Sequence, residues 1–221
     1  MEIVAVNLKD RIKELETIYK FLSESEIAEC LKFRQSIDKL RAAVSHLFKK
    51  YIIDFRYRSQ TPNIEYNDFK KPYFSDYPNI KFNVSHSGNW IVAAVFDSEI
   101  GIDCEVIKEM DSHLDIAKKY YSKKEYDYLQ KACSLPEELD KFYELWTKKE
   151  SFIKAVGKGL SLPLRSFTVP LKENTTMNYN EKIWYIKQIL FKDSTHKLAV
   201  CSEREINYKI KYLDIFDLTK C

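Results

Sequence analysis

The chain lacks the sequence features of an exported, membrane-bound or linker-rich protein. It has only four glycines among 221 residues and no low-complexity linker. Its longest uninterrupted apolar run, Trp90 to Phe96, is far shorter than the roughly 18 residues that a membrane-spanning helix needs. The N-terminus carries Glu2 and too short an apolar run for a signal peptide. We therefore expect neither export nor a membrane partner.

Cysteine pairs with metal-binding spacing are also missing. The five cysteines are odd in number, widely scattered and without a C-x-x-C pair: Cys30, Cys104, Cys133, Cys201 and Cys221. This distribution is typical of reduced thiols and argues against a structural zinc site. It predicts a cytoplasmic protein.

There is no strong excess of charge of either sign. The chain has 36 basic and 33 acidic residues, a formal charge of +3, which argues against nucleic acid as the main ligand. Its 45% hydrophobic and 31% charged residues are ordinary for a globular protein. Its length is compatible with one large domain or two small ones.

The most informative segment present is Trp146 to Leu160, WTKKESFIKAVGKGL. Thr147, Glu150 and Lys154 recur at three and four residues, so a helix places them on one face. On a solvated helix, a Glu to Lys pair at this spacing contributes only ~0.2 to 0.5 kcal/mol. The helix is predicted to end at Gly157, and its apolar stripe comprises Phe142, Leu145, Trp146, Ile153 and Val156.

A second segment, Ile100 to Ile107, alternates with the period of a β-strand. Asp103 and Glu105 therefore point the same way, while Cys104 points to the opposite face, into the core. Two carboxylates about 7 Å apart on one strand face repel each other unless a cation lies between them. Mg²⁺ is the usual cation for such a site. The D-x-E triplet alone is also compatible with an exposed strand.

A third segment, Phe82 to Phe96, reads as two apolar runs joined by a polar turn at residues 85–89. His86 in that turn either binds an anion or faces water.

The remaining sequence predicts an α+β fold. Ser23 with Glu26 and Ser122 with Glu125 form capping boxes. The stretches Tyr57 to Asn79 and Lys172 to Glu181 are predicted to be the loosest regions. An apolar helix stripe contains Ile37, Leu40, Val44, Leu47, Phe48 and Tyr51, and strands are predicted at Lys81 to Val84, Trp90 to Phe96, Ile100 to Ile107, Ile183 to Ile189 and Lys197 to Cys201.

Taken together and in order, the three segments resemble the Sfp-type 4'-phosphopantetheinyl transferase superfamily, the surfactin-synthetase-activating type. The family pattern is a Ser-His turn, then G-I-D-x-E, then W-x-x-K-E-S/A-x-x-K-x-x-G-x-G-L. It appears here as Ser85-His86, Gly101 to Glu105, and Trp146 to Leu160 without a gap. Lys71-Pro72 also matches a Lys-Pro pair of the family. The resemblance implies two similar α/β halves forming an intramolecular pseudodimer, residues 1–98 and 99–221, with coenzyme A between them.

The resemblance also implies the site residues. Asp103, Glu105 and Glu150 are expected to hold Mg²⁺, and Glu150 or a water held by that ion is expected to accept the proton of the incoming serine. Lys154 is expected to meet the pyrophosphate or the departing phosphate oxygen. Coenzyme A is expected to contact a set of polar and basic residues, most of them at its 3'-phosphate and adenine end: Arg41, Lys71, Ser85, His86, Lys149 and Lys154.

The implied reaction is transfer of the 4'-phosphopantetheine arm of coenzyme A to a serine of an apo acyl or peptidyl carrier protein. We expect a monomer that serves non-ribosomal peptide or polyketide synthesis. Two other readings remain open. A metal-dependent phosphoesterase shares the acid cluster and Lys154 but uses water as its nucleophile. A non-catalytic carrier-binding module keeps the apolar framework and loses the charged site residues, which are retained here.

Overall fold

The computed structural model describes residues 1–57, 62–171 and 175–220. Residues 58–61 and 172–174, which fall in the two stretches predicted to be loosest, and Cys221 lie outside the described residues. Within the described ranges, no helix has both the length and the apolar character needed to cross a bilayer. Cys30, Cys104, Cys133 and Cys201 are free thiols, as predicted.

Helices and strands follow one another in an α+β order, which confirms the predicted fold class. The helices are α1 (Leu15–Tyr19), α2 (Glu24–Leu31), α3 (Ser36–Tyr57), α4 (His113–Tyr120), α5 (Lys123–Leu129) and α6 (Leu135–Val156). The strands are β1 (Glu2–Asn7), β2 (Ile64–Tyr66), β3 (Pro72–Phe74), β4 (Lys81–Ser87), β5 (Trp90–Phe96), β6 (Ile100–Val106), β7 (Thr176–Tyr179), β8 (Lys182–Gln188), β9 (His196–Ser202) and β10 (Lys209–Leu213).

Two four-stranded sheets form the centre of the molecule. The first has the order β10-β1-β5-β4, with β10 parallel to β1 and the other pairs antiparallel. The second has the order β6-β9-β8-β7 and is antiparallel. The sheets share an apolar core that joins Ile3 and Ala5 to Ile102 and Val200. Helix α3 covers the other face of the first sheet, and α6 covers that of the second.

Local signals in the sequence predicted several boundaries correctly. Strand β5 has the predicted bounds, and both capping boxes form, at Ser23 and at Ser122. Helix α6 ends before Gly157, which has a φ of 73°. This left-handed conformation favours glycine, because it lacks a Cβ.

The division into residues 1–98 and 99–221 stays a prediction, and the end of the chain contacts the first of these two parts. Strand β10 pairs with β1, and Ile215 and Leu218 are buried in the core beneath α3. Residues 209–219 therefore return to the first sheet. Strand β1 thereby forms backbone hydrogen bonds along both of its edges, with β10 on one side and β5 on the other.

The polar turn predicted at residues 85–89 is wrong in its extent, because it is shorter in the structure. Strand β4 continues to Ser87, which pairs with Trp90, so only Gly88 and Asn89 form the turn. Ser85 and His86 lie in the strand, paired with Val92 and Ile91. Strand β4 lies against β6 at the seam between the sheets. There the hydroxyls of Ser85 and Ser87 accept hydrogen bonds from backbone N–H groups of β6.

Candidate active site

Gly101 determines how closely α6 approaches β6. A Cβ built on this glycine would lie 2.0 Å from the backbone oxygen of Ser151 and 2.4 Å from the backbone nitrogen of Ala155. Both distances are far below van der Waals contact, so a side chain at this position would force the helix away from the strand. The glycine of the G-I-D-x-E motif thus lets α6 lie directly on β6, beside Asp103 and Glu105.

Helix α6 is an interior helix, and the two residues that the motif places at the site emerge on one side of it. Glu150 and Lys154, one turn apart, both line the same cavity. Thr147, predicted on the same polar face, is fully buried instead, and its hydroxyl donates to the Tyr143 carbonyl at 2.9 Å. Trp146 is half-buried: it packs beside Phe142 and also forms part of the cavity wall.

The cavity lies at the seam between the two sheets and has a volume of about 490 Å³. One wall is polar and comes from β4, β6 and α6. The other is largely apolar. The lining residues are Val84, Ser85, His86, Asp103, Glu105, Tyr120, Trp146, Glu150, Lys154, Leu160 and Leu164.

Asp103 is the most deeply buried of the acidic residues in this cavity. Its Oδ1 accepts hydrogen bonds from Lys154 Nζ at 2.6 Å and from Ser85 Oγ at 3.0 Å. Its Oδ2 is buried and has no hydrogen-bond partner among the described residues. Burial raises the pKa of this carboxyl, and the ammonium of Lys154 opposes that rise. One oxygen is therefore saturated, and the other keeps unused capacity to accept a hydrogen bond or bind a cation.

Glu105 and Glu150 share the cavity with Asp103 and feel its charge. The pKa of Glu105 is raised by burial and then by Asp103. The pKa of Glu150 is raised to about 7, first by burial and then by Asp103. Such shifts are expected where carboxylates share a site without enough positive charge.

These carboxylates suit a hard cation, although they do not form a finished cage. In residues 1–57, 62–171 and 175–220, no three His, Cys, Asp or Glu side chains stand close enough together to ligate one ion. The unpartnered Asp103 Oδ2 and the raised carboxyl pKa values nevertheless fit Mg²⁺, which prefers oxygen ligands. Small side-chain movements and release of Lys154 from Asp103 are needed to close the site around an ion.

Two basic residues lie at one end of the cavity. His86 is exposed at its mouth. Its pKa is lowered first by partial desolvation of the ring and then by the positive charges of Arg41 and Lys154. Arg41 does not line the cavity. Its guanidinium donates to Asp38 Oδ1 at 2.8 Å and to the Gly88 carbonyl at 2.5 Å, which fixes α3 to the β4–β5 turn beside His86.

Lys71 lies outside the main cavity, in two grooves beside it. Its Nζ is 2.7 Å from Glu99 Oε2 and 2.8 Å from the Ala155 carbonyl, so it binds the C-terminal turn of α6. One of these grooves, about 190 Å³ in volume, is also lined by Lys154, which connects Lys71 to the site.

Lys149 is placed away from the cavity, and we leave it out of the proposed site. It is fully buried, and its Nζ lies 2.8 Å from Glu125 Oε2 and 2.9 Å from the carbonyls of Leu164 and Phe167. A rotation of about 100° along the helix separates it from Glu150. The sequence motif does not distinguish this structural lysine from a ligand-binding one.

Comparisons with known proteins identify the family. Residues 99–206 match the 4'-phosphopantetheinyl transferase superfamily, and residues 9–97 match the 4'-phosphopantetheinyl transferase N-terminal family. The chain belongs to the 4'-phosphopantetheinyl transferase superfamily. The predicted family and enzyme class are thereby confirmed.

Several curated relatives cover most of this transferase. It is 36% identical to the 4'-phosphopantetheinyl transferase Sfp of Bacillus subtilis (strain 168) over 86% of each chain. It is 35% identical to the 4'-phosphopantetheinyl transferase psf-1 of Bacillus pumilus, over 92% of this chain and 91% of the relative. It is 33% identical to the 4'-phosphopantetheinyl transferase gsp of Aneurinibacillus migulanus, over 74% of this chain and 70% of the relative.

Some residues of the site in this transferase were missed by the sequence analysis. Tyr120 and Leu164 form its apolar wall together with Leu160, the last residue of the third motif, and no spacing in the sequence links Tyr120 or Leu164 to the motifs. Ser87 was assigned to a turn, but its hydroxyl binds Glu105 Oε2 at 2.7 Å. A signal for Ser87 existed, because polar residues at 83, 85 and 87 alternate with Phe82 and Val84 as they do in a strand with one polar face.

Proposed function

We propose that this transferase moves the 4'-phosphopantetheine arm of coenzyme A to the serine hydroxyl of an apo acyl or peptidyl carrier protein. The other product is adenosine 3',5'-bisphosphate, and the reaction depends on Mg²⁺. One observation carries the proposal: three carboxylates and Lys154 line a single cavity between the two sheets. Phosphoryl transfer needs this combination, because both the pyrophosphate and the leaving group are anionic.

Asp103, Glu105 and Glu150 would hold the metal ion. The unpartnered Asp103 Oδ2 and the raised pKa values of Glu105 and Glu150 support this assignment. When bound, the ion supplies positive charge that neutralises oxygens of the pyrophosphate. Three acidic residues in one site also favour divalent over monovalent cations.

Lys154 would stabilise the leaving group. Its side chain is 28% exposed and reaches the cavity from α6, where its Nζ binds Asp103 Oδ1 at 2.6 Å and Ser85 Oγ at 3.0 Å. The ammonium therefore stands beside the proposed metal ligands. A positive charge at this point is most useful as negative charge builds on the departing phosphate oxygen.

Glu150 would accept the proton of the carrier serine. The serine oxygen forms a bond to the β-phosphorus of coenzyme A as the bond to adenosine 3',5'-bisphosphate breaks, and the serine proton passes to the Glu150 carboxylate. Without the metal ion the pKa of Glu150 is raised to about 7. A bound cation would lower that pKa, so the carboxylate would be ionised at neutral pH and able to accept the proton.

The nucleotide end of coenzyme A would lie toward the basic residues. His86 at the cavity mouth would donate a hydrogen bond to the 3'-phosphate, and Arg41 behind it and Lys71 in the adjoining groove would supply positive charge toward that group. Ser85 borders the same region. We further propose that the protein acts as a cytoplasmic monomer and serves carrier proteins of non-ribosomal peptide or polyketide synthases.

Mass spectrometry of apo carrier proteins incubated with this protein, coenzyme A and Mg²⁺ tests the proposal. The expected result is a phosphopantetheine adduct on the carrier serine, with an equal amount of adenosine 3',5'-bisphosphate released. Nucleotide release with an unmodified carrier would instead support a phosphoesterase. Carrier binding with neither product would support a non-catalytic module.

A further inference from the structure

The two sheets meet through side chains of β4 that bind backbone N–H groups of β6. Asn83 Oδ1 accepts from Ile102 N at 2.9 Å, Ser85 Oγ accepts from Cys104 N at 3.2 Å, and Ser87 Oγ accepts from Val106 N at 3.1 Å. Each of these β6 groups is on the edge that faces away from β9. The three contacts repeat every two residues, as strand geometry requires.

The two serines also bind the two acidic residues of β6. Ser85 Oγ donates to Asp103 Oδ1 at 3.0 Å, and Ser87 Oγ donates to Glu105 Oε2 at 2.7 Å. In each case, the serine accepts from one residue and donates to the carboxylate of the residue before it. Asn83 accepts only the backbone hydrogen bond, from Ile102 N. The residue before Ile102 is Gly101, which has no carboxylate to bind.

A hydroxyl group has a single proton to donate. Because Ser85 Oγ accepts from Cys104 N and Lys154 Nζ, its proton is directed to Asp103. Its one donor and both lone pairs are then in use, so this hydroxyl has no capacity left for a phosphate oxygen. The role of Ser85 differs in this respect from the coenzyme A contact that the sequence predicts.

The hydrogen bonds select one oxygen of the Asp103 carboxylate. Oδ1 accepts from Ser85 and Lys154, whereas Oδ2 has no partner among the described residues. Ser87 similarly engages Oε2 of Glu105. Both carboxylates are thus held by the neighbouring sheet in a fixed orientation.

We infer that Ser85 and Ser87 are positioning residues that orient Asp103 and Glu105 for a divalent cation. The inference rests on the proposed metal site. It also explains how packing of the two sheets prepares the site: the same hydroxyls that join β4 to β6 hold the carboxylates. Loss of a hydrogen-bond partner of a metal ligand commonly lowers metal affinity by about 10 to 100-fold.

Binding of Mn²⁺, followed by the electron paramagnetic resonance signal of the free ion, tests this role without catalysis. The titration uses the full chain with coenzyme A and no carrier protein, so that transfer does not occur. Ser87→Ala is expected to weaken Mn²⁺ binding by about tenfold. Ser87→Thr, which keeps the hydroxyl on a residue that strands accept, is expected to restore it.

Asn83→Ala is the matched control, because it removes a seam contact that touches no carboxylate. It is expected to lower the midpoint of thermal unfolding while leaving Mn²⁺ affinity at the wild-type value. Equal Mn²⁺ affinity in Ser87→Ala and wild type would overturn the inference, as would an equal loss of affinity in Asn83→Ala and Ser87→Ala. Failure of the wild-type protein itself to bind Mn²⁺ would overturn the proposed metal site as well, which separates the two results.

Discussion

Helices α3 and α6 each run for 22 residues and cover one face of a four-stranded sheet, yet their buried surfaces differ in chemistry. The surface of α3 that faces β1 and β5 is apolar, with Leu40, Val44 and Phe48 at its centre. Helix α6 buries polar and charged groups as well: Thr147, Lys148, Lys149 and Ser151.

The strands beneath the two helices differ in chemistry as well. Strand β5 presents Ile91 and Ala93 to α3, so only apolar packing is possible there. Strand β6 presents Gly101, Asp103 and Glu105 to α6. The packing of α3 on β5 thus stabilises the fold, whereas the packing of α6 on β6 also carries the charged groups that we assign to catalysis.

Breaking the buried ion pair of α6 is expected to have the largest effect on stability. Lys149→Met leaves Glu125 buried without its partner at 2.8 Å, which is expected to cost about 3 to 5 kcal/mol of unfolding free energy. Leu47→Met, its control on α3, is expected to cost less than about 1.5 kcal/mol. Urea denaturation measures both. If Lys149→Met raised the KM for coenzyme A and kept wild-type stability, Lys149 would return to the binding site.

Lys154 on α6 and His86 on β4 separate chemistry from binding at the cavity. Lys154→Ala is expected to lower kcat by about a hundredfold or more with both coenzyme A and dephospho-coenzyme A, because its charge acts on the leaving group. His86→Ala is expected mainly to raise the KM for coenzyme A, and to have little effect with dephospho-coenzyme A, which lacks the 3'-phosphate. Steady-state kinetics of both variants decide the matter. Equal kcat losses that do not depend on the substrate contradict this division.

Gly101→Ala tests the close approach that distinguishes α6 from α3. The new Cβ would lie 2.0 Å from the Ser151 carbonyl oxygen, so α6 must shift, at an expected cost of about 1 to 3 kcal/mol. Because Glu150 and Lys154 move with the helix, kcat is expected to fall as well. Ala93→Gly on β5 is the control, with an expected cost of about 0.5 to 1 kcal/mol and an unchanged kcat. Wild-type kcat in Gly101→Ala would show that the close approach is not required.

A pH dependence of stability is also expected in the metal-free protein. Folding raises the pKa of Glu150 from 4.5 to about 7. The resulting stabilisation is fully present below the unfolded pKa and is lost as pH rises through about 7. With EDTA present, wild type is therefore expected to lose stability relative to Glu150→Gln between pH 5 and pH 7, by on the order of 2 to 3 kcal/mol. Parallel stability curves for the two proteins would rule out the shifted pKa.

The sequence predicted the parts of the site that depend on local spacing. Residues 103 and 105 share a strand face, residues 150 and 154 share a helix face, and Gly157 ends that helix. These relations follow from the periods of strands and helices. The family resemblance supplied the expectation that the separate segments meet.

Other features depend on tertiary contacts that spacing does not reveal. Strand β1 is a continuous apolar run buried on both faces, and its partner β10 lies some 200 residues away in the chain. The buried partner of Lys149 is Glu125, whose role in the sequence was only that of a capping residue. The hydroxyl groups of Ser85 and Ser87 acquire their function from the neighbouring sheet.

The central claim is that the carboxylates between β6 and α6 bind the metal ion used in transfer. The most direct test is the initial rate of carrier modification at limiting Mg²⁺ for Asp103→Ala, Glu105→Ala and Glu150→Ala. Each variant is expected to lose most or all transfer while remaining folded. Glu105→Ala and Glu150→Ala are expected to have equal or slightly higher stability, because removing one carboxylate relieves repulsion among the three. Asp103→Ala is expected to lose some stability, because it leaves Lys154 without its partner. Near wild-type rates in all three variants at limiting Mg²⁺ would contradict the claim.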